Sequence, residues 1–463
     1  MTSRILRFLL VSFALFVWAS PTATAQTVDA AHGPLFGANV LNGARRSIDL
    51  TASVTGGRDD DLSADSGTGG SPLQPHVGGT YQDFDGALSL VESGRRISLA
   101  IRSTGTVRHV PGLDQFAGSN AAVNADLSVF LDRRTSLRTI VSASHVENFA
   151  FDTLAQQRLQ ATSPDDTIPS SSAGADAPLD WTRTAYGGNM TLTRAIGKVS
   201  SFSFTAGAGL SRRPTLDQRS AEQGATAQFS RSLGRDSFLR VAYTYSSGLQ
   251  TIPDARNKLW SQELQMSADR TWRHSKFRRT VVSLSAGPSI FQQKLTASVS
   301  IVPDVPADGD APPEPVTVLQ ETSDRLFRFV GTATVVHDIT SSWSTQAWYR
   351  RGTGVRDAVL FANAGGLDLH GWFGRRIGTT LAAGYTDGDL NLGSLLNRNT
   401  TLYGSMKLQA ALKSWAAVQA QYFYYHYEYR AAVDLPNGLL PRLNRRGLRV
   451  GIVLWAPLER GRS

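Results

Sequence analysis

The sequence predicts an all-β chain, a transmembrane antiparallel up-and-down β-barrel of about 18 strands, with 16 to 20 compatible. Three observations lead there. Long segments alternate apolar and polar residues with period two. Their connections alternate short and long. Beyond the first 25 of 463 residues no apolar run is long enough to cross a bilayer as a helix, which leaves a closed barrel as the route through lipid. Alternation alone also suits a soluble sandwich, but length separates the two. The segments run to roughly 10 to 15 residues, against about 5 to 6 in globular sheets and about 9 to 11 for a tilted crossing strand.

Targeting comes first along the chain. Arg4 and Arg7 precede an apolar run over 8–19, and Ala23, Thr24 and Ala25 supply small residues before Gln26. This order predicts a secretory signal peptide at 1–25. A periplasmic N-terminal segment is expected at 26–45, the barrel at 46–457 and a short tail at 458–463.

The first expected strand, 46–55, sets Ile48, Leu50, Ala52 and Val54 against Ser47, Asp49, Thr51 and Ser53. Strands at 80–92, 97–109, 120–131, 136–149 and 182–196 follow. At 200–213, Phe202, Phe204 and Leu210 oppose Ser203, Thr205, Gly207 and Gly209; 222–233 comes next. Within 237–250, Leu239, Val241 and Tyr243 oppose Arg240, Ala242 and Thr244. Then come 259–272, 280–294, 324–339, 343–357, 366–377 and 379–391. In 400–412, Leu402, Met406 and Leu408 face away from Ser405, Lys407 and Gln409, and 415–430 precedes a final strand at 445–457. Residues 295–302 are open to three readings: an extension of a neighbouring strand, a hairpin with 316–319 outside the membrane, or an added strand pair.

Short turns are expected at 94–96, 132–135, 197–198, 234–236, 340–342, 378 and 413–414, and long loops at 56–79, 150–180, 251–258, 303–315 and 431–444. Short periplasmic turns and longer extracellular loops are the layout of an outer-membrane barrel. Trp181, Trp260, Trp272, Trp343, Trp348, Trp415 and Trp455 fall near strand ends, as does the run Tyr422, Phe423, Tyr424, Tyr425, Tyr427 and Tyr429. Aromatic girdles at the two interfaces are expected from them.

With these strands placed, the chain resembles the bacterial outer-membrane β-barrel superfamily, porin-like in size, over its mature length, with no single family's motif matched. Leu448, Val450, Ile452, Leu454 and Trp455 resemble the terminal signal read by the barrel-assembly machinery, although residues continue to 463 where the usual pattern stops at the aromatic. The resemblance implies a bacterial outer-membrane location reached through the periplasm, with lipid, lipopolysaccharide and the assembly machinery as partners.

If the apolar positions face lipid, the opposite faces bring Asp49, Arg102, Asp126, Arg138, Arg240, Glu263, Asp269, Arg328, Asp368, His370, Lys407 and Arg449 to the pore lining. Opposite charges on facing walls would set up a transverse field, and an excess of cations would favour anionic solutes. Turn arginines and lysines such as Arg95, Arg96, Arg133 and Arg134 are expected at the periplasmic rim. Arg212, Arg213, Arg219, Arg350, Arg351, Arg356, Arg445 and Arg446 are expected near extracellular strand ends, within reach of lipid phosphates.

Other function classes fare worse. The chain has no cysteine and a formal charge of +9, but the charge is spread along it and the signal peptide takes it out of the cytoplasm, so no nucleic-acid partner is expected. No HExxH, GxSxG or Walker loop is present, and the eight histidines are scattered. His145, Glu147 and Asn148 lack a serine at a diagnostic spacing. Asp59, Asp60, Asp61 and Asp65 read as a solvated acidic loop rather than a calcium site. The expectation is a protein that is no enzyme and carries neither cofactor nor metal: a porin-like channel for passive diffusion of small hydrophilic solutes, with 150–180 as the constriction candidate. The alternative is a structural or export-associated barrel, a partner in envelope or polysaccharide secretion, with a plugged pore.

Overall fold

A computed structural model describes residues 46–60, 78–112, 117–146, 183–214, 217–252, 255–301, 316–352, 359–374, 376–392, 395–430 and 442–461. The expected signal peptide, the expected N-terminal segment and the expected 150–180 loop lie outside these residues, as do Glu147, Asn148, Asp61, Asp65 and Arg356.

Eighteen strands follow in chain order. They are β1 (Arg46–Asp59), β2 (Gly79–Ser93), β3 (Ile97–His109), β4 (Gly118–Phe130), β5 (Thr135–Val146) and β6 (Arg183–Ala195). Next come β7 (Ser200–Arg213), β8 (Gln218–Gly234), β9 (Ser237–Ile252), β10 (Ala255–Arg273), β11 (Arg279–Ile301) and β12 (Val316–Asp338). The last six are β13 (Trp343–Gly352), β14 (Val359–Phe373), β15 (Ile377–Leu392), β16 (Leu395–Lys413), β17 (Ala416–Arg430) and β18 (Arg442–Gly461). Each strand pairs antiparallel with its neighbours in sequence, and β18 pairs with β1, which closes the sheet. Closure gives every strand a neighbour on both sides, the condition for a sheet to sit in hydrocarbon, and the start of β12, before Gly331, extends beyond its pairing with β13.

The outward face explains why it sits there. Leu50, Val54, Phe84, Leu88, Phe204 and Leu210 are 40–60% exposed on the outside of the cylinder, and Leu448, Val450, Ile452 and Leu454 continue the belt on the closing strand. In water such a belt would be a large apolar liability; in lipid its side chains are already solvated.

Every expected strand is present, with ends that differ where pairing outlasts the hydrophobic pattern. Residues 295–302 lengthen β11 and pair with the start of β12, Ser298 opposite Leu319 and Ile301 opposite Val316. The long loop expected over 251–258 is mostly strand, since β9 runs to Ile252 and β10 starts at Ala255. Backbone pairing needs no apolar side chain, so a ladder continues past the lipid boundary that alternation detects. At the other end of the chain, β18 continues through the expected tail to Gly461, opposite Arg46. The turn expected at Gly378 lies instead between Phe373 and Ile377, where Gly374 takes a φ of 63° that other residues resist.

One glycine is required by a close backbone approach. The β10–β11 register is continuous to Glu263 opposite Ser289 and resumes at Met266 opposite Ala286. Between them stand Gly287 and Pro288, and Pro288 has no N–H to offer the ladder. A Cβ on Gly287 would lie 1.7 Å from the Leu264 carbonyl oxygen. Gly287→Ala is therefore expected to force the two strands apart at a cost of about 1–3 kcal/mol. The check is the denaturant midpoint of the refolded barrel in detergent; Gly56→Ala, with open space around it, should leave that midpoint in place.

Candidate functional site: the inner wall of the barrel

In a closed sheet one register assigns every side chain to lipid or to the interior. The register carries Asp49, Arg102, Asp126, Arg138, Arg240 and Glu263 onto the face opposite the apolar belt. Asp269, Arg328, Asp368, His370, Lys407 and Arg449 lie on that same face.

Their signs interleave. Among the described side chains away from the short turns, β2, β4, β8, β10 and β14 bring Asp83, Asp126, Glu222, Glu263 and Asp368. Strands β3, β5, β9, β12, β13, β16 and β18 bring Arg102, Arg138, Arg240, Arg328, Arg350, Lys407 and Arg449. Carboxylates and cations therefore alternate over much of the wall, while the neighbouring strands β12 and β13 both bring cations, Arg328 and Arg350. Arg138 Nη2 donates to Asp126 Oδ2 at 2.7 Å, and Arg240 donates to Asp269. Asp85 accepts from Ser53 Oγ at 2.7 Å and from Thr106 Oγ1 at 2.8 Å. Glu263 accepts from Gln265 Nε2 at 3.1 Å. His370 Nδ1 lies 3.2 Å from Thr380 Oγ1.

Where the first and last strands meet, the wall carries a cluster that alternation gives no sign of. Asp83 on β2 accepts from Arg108 Nε at 2.7 Å and Nη2 at 3.0 Å, with Arg449 Nη1 at 3.6 Å. Asp59 on β1 accepts from Arg445 on β18 through Nε at 2.8 Å and Nη2 at 2.6 Å, both side chains fully buried. Arg445 was expected among the lipid-reaching cations; its odd position on β18 turns it inward, beside Arg449. Arg350 is also inward, opposite Ala364, whereas Arg212 and Arg219 face each other across β7 and β8.

Aromatic rings complete the cluster. Tyr81 lies opposite Gly57, Phe423 opposite Gly447, Tyr403 opposite Gly384, Trp348 opposite Gly366, and Trp372 opposite Gly378. In each pair a Cβ on the glycine would come within 2.8 Å of the ring, so the ring lies flat on bare backbone. Guanidinium groups cover two of them. Arg108 sits 4.0 Å from the Tyr81 centroid, and Arg449 lies 5.2 Å from Phe423 and 5.8 Å from Tyr81. Glycine below and cation above explain how a tyrosine on an inner wall is only 1% exposed. Trp348 and Trp455, expected in the girdles, are inward as well; Trp455, Trp372 and Ala411 each pack against the buried Ala417 and Val453. Trp272, Trp343 and Trp415 do lie at the short-turn end. In the tyrosine run, Tyr422 is 46% exposed on the outside while Phe423 and Tyr425 turn in.

The wall from β6 to β10 is built differently. Hydroxyls bridge its strands, Thr191 to Thr205 at 2.9 Å, Thr226 to Thr244 at 3.0 Å and Ser246 to Ser261 at 2.7 Å. Gly187, Gly207 and Gly224 lie among them. No group of three or more metal-ligating side chains gathers among the described residues. His145 faces outward beside Thr184, its Nδ1 2.9 Å from Thr184 Oγ1.

A closed 18-stranded cylinder, greasy outside and charged inside, can be set beside solved structures. Those it matches are bacterial outer-membrane barrels. It is similar to the ferric-catecholate import receptor Fiu of Escherichia coli K12, open form, at 10% identity over 89% of this chain and 81% of that one, TM-score 0.44. It is also similar to OccAB3 of Acinetobacter baumannii, at 9% identity over 89% and 99% of the two chains, TM-score 0.41. OpdL of Pseudomonas aeruginosa matches at 13% identity over 89% and 99%, TM-score 0.38. No family profile matches the sequence, and no curated protein matches it.

Proposed function

We propose that this barrel is an outer-membrane channel for passive diffusion of small hydrophilic solutes. The observation that carries the reading is the way the inner wall stores its large side chains. Rings lie flat on glycines, guanidiniums stack on rings or pair with neighbouring carboxylates, and bulk stays on the wall rather than in the bore. A barrel of this strand number is wide enough for an aqueous passage. Interleaved signs favour weak selectivity, because a small ion of either charge finds a partner at each level. The twelve inward residues named above are the proposed pore lining.

Planar-bilayer recording of the refolded protein tests this. Stable ohmic steps are expected, and Gln228→Trp with Thr244→Trp on the hydroxyl wall should roughly halve the unit conductance. Arg240→Gln, which leaves Asp269 without its cation, should move the reversal potential toward cation preference. A silent bilayer from protein that shows the mobility of a folded barrel would instead favour the plugged, structural or export-associated role.

A further inference from the structure

We propose that the short-turn rim is a binding surface for anionic glycerophospholipid headgroups in the leaflet it meets, the periplasmic-side leaflet in barrels of this layout. This holds whether or not the bore conducts.

The rim repeats one arrangement, an exposed apolar side chain with a cation next to it. Leu131, 54% exposed, precedes the exposed Arg133 and Arg134, and Ile196, 60% exposed, precedes Lys198. Leu233 precedes Arg235 in the same way, and Phe373 and Ile377 flank Arg376. Around β10–β11 the anchors are aromatic: Lys276 lies 5.5 Å from the Phe277 ring, and Arg270 5.1 Å from Trp272. Lys413 lies 5.5 Å from Trp415. The apolar member suits the acyl and glycerol region, and the cation then stands at phosphate depth.

Four acids near this rim are already committed. Asp132 turns its carboxylate back into its own turn, where the Arg134 N–H donates to it at 2.6 Å and the Thr135 N–H at 2.8 Å. The Arg134 N–H, first among these, holds that carboxyl below the usual range. Asp236 pairs with Arg273 at 3.1 Å, Asp338 with Arg279 at 2.5 Å and Glu459 with Arg46 at 3.6 Å. The side chains of Arg133, Arg134, Lys198, Arg235 and Arg376 have no acidic partner among the described residues. A ring of cations at one depth, each beside its own apolar anchor, fits many separate monoanionic headgroups better than one compact ligand.

Lipid retention tests the proposal on the full chain. The folded protein is equilibrated in detergent with a phosphatidylcholine and phosphatidylglycerol mixture, repurified, and its co-purifying lipid is quantified. Each basic residue near an anionic surface is worth roughly a fivefold preference, so phosphatidylglycerol should be enriched roughly fivefold or more over its bulk ratio. Combining Arg133→Gln, Arg134→Gln, Arg235→Gln and Arg376→Gln should bring retention close to the bulk ratio. Arg212→Gln with Arg219→Gln, at the opposite rim, should keep the enrichment. Heat-dependent gel mobility verifies that each variant is folded. Bulk-ratio retention by the wild type overturns the proposal, as does enrichment that survives the four-site change or vanishes with the opposite-rim pair. Enrichment abolished by inorganic phosphate but not by chloride of equal ionic strength assigns the rim to free phosphate instead. Sedimentation with isolated peptidoglycan, without lipid enrichment, assigns it to that polymer and also overturns the lipid reading.

Discussion

Arg445→Met should destabilise the folded barrel by about 3–5 kcal/mol, the cost of leaving a buried carboxylate without its cation. Arg445 and Asp59 are both fully buried and joined by two charge-assisted hydrogen bonds. They belong to β18 and β1, so the loss falls on the seam that closes the cylinder. Methionine keeps much of the stem that lies against Phe423, which separates lost charge from lost packing. The measurement is the urea midpoint in detergent micelles, read alongside heat-dependent gel mobility. Adding Asp59→Leu should recover most of the loss, because the orphaned carboxylate is then gone. An unchanged midpoint in Arg445→Met would mean that water reaches this pair.

Gly447→Ala should cost about 1–3 kcal/mol by overpacking and should also narrow the bore. The new methyl would lie 2.1 Å from the Phe423 ring, which has Arg449 5.2 Å away and Arg445 5.7 Å away on its other side. With backbone beneath and cations above, the ring can only swing inward, away from the wall. A lowered denaturant midpoint together with smaller conductance steps is the expected pair of readouts. Phe423→Leu in the Gly447→Ala background should restore part of both. Gly86→Ala, with open space around the added carbon, should stay within about 0.5 kcal/mol of the wild type.

These two sites mark where reading the sequence reaches its end. The segment around Leu448, Val450, Ile452 and Leu454 declares its lipid face unaided, and the inward position of Arg449 follows from it by parity. The same parity turns Arg445 inward, away from the lipid phosphates that its place near a strand end suggests. Alternation stops at the membrane boundary and β18 does not. Ser298, Ile301 and Ala255 belong to strands for the same reason: the backbone ladder that holds them carries no hydrophobic signature. Gly57 and Gly447 look like loosening residues in isolation. Opposite Tyr81 and Phe423 they are sockets.

From the sequence by itself come the strand number, the period and the choice of which face meets hydrocarbon, because each depends on residues two apart and on a bilayer of fixed thickness. Closure decided the rest. Asp59 and Arg445 stand 386 residues apart, and only the joining of β1 to β18 sets one carboxylate against one guanidinium. The same joining lays Arg449 over Tyr81. Which ring meets which glycine, and which sign stands beside which, depends on the register across every pair of strands, a property of the whole cylinder.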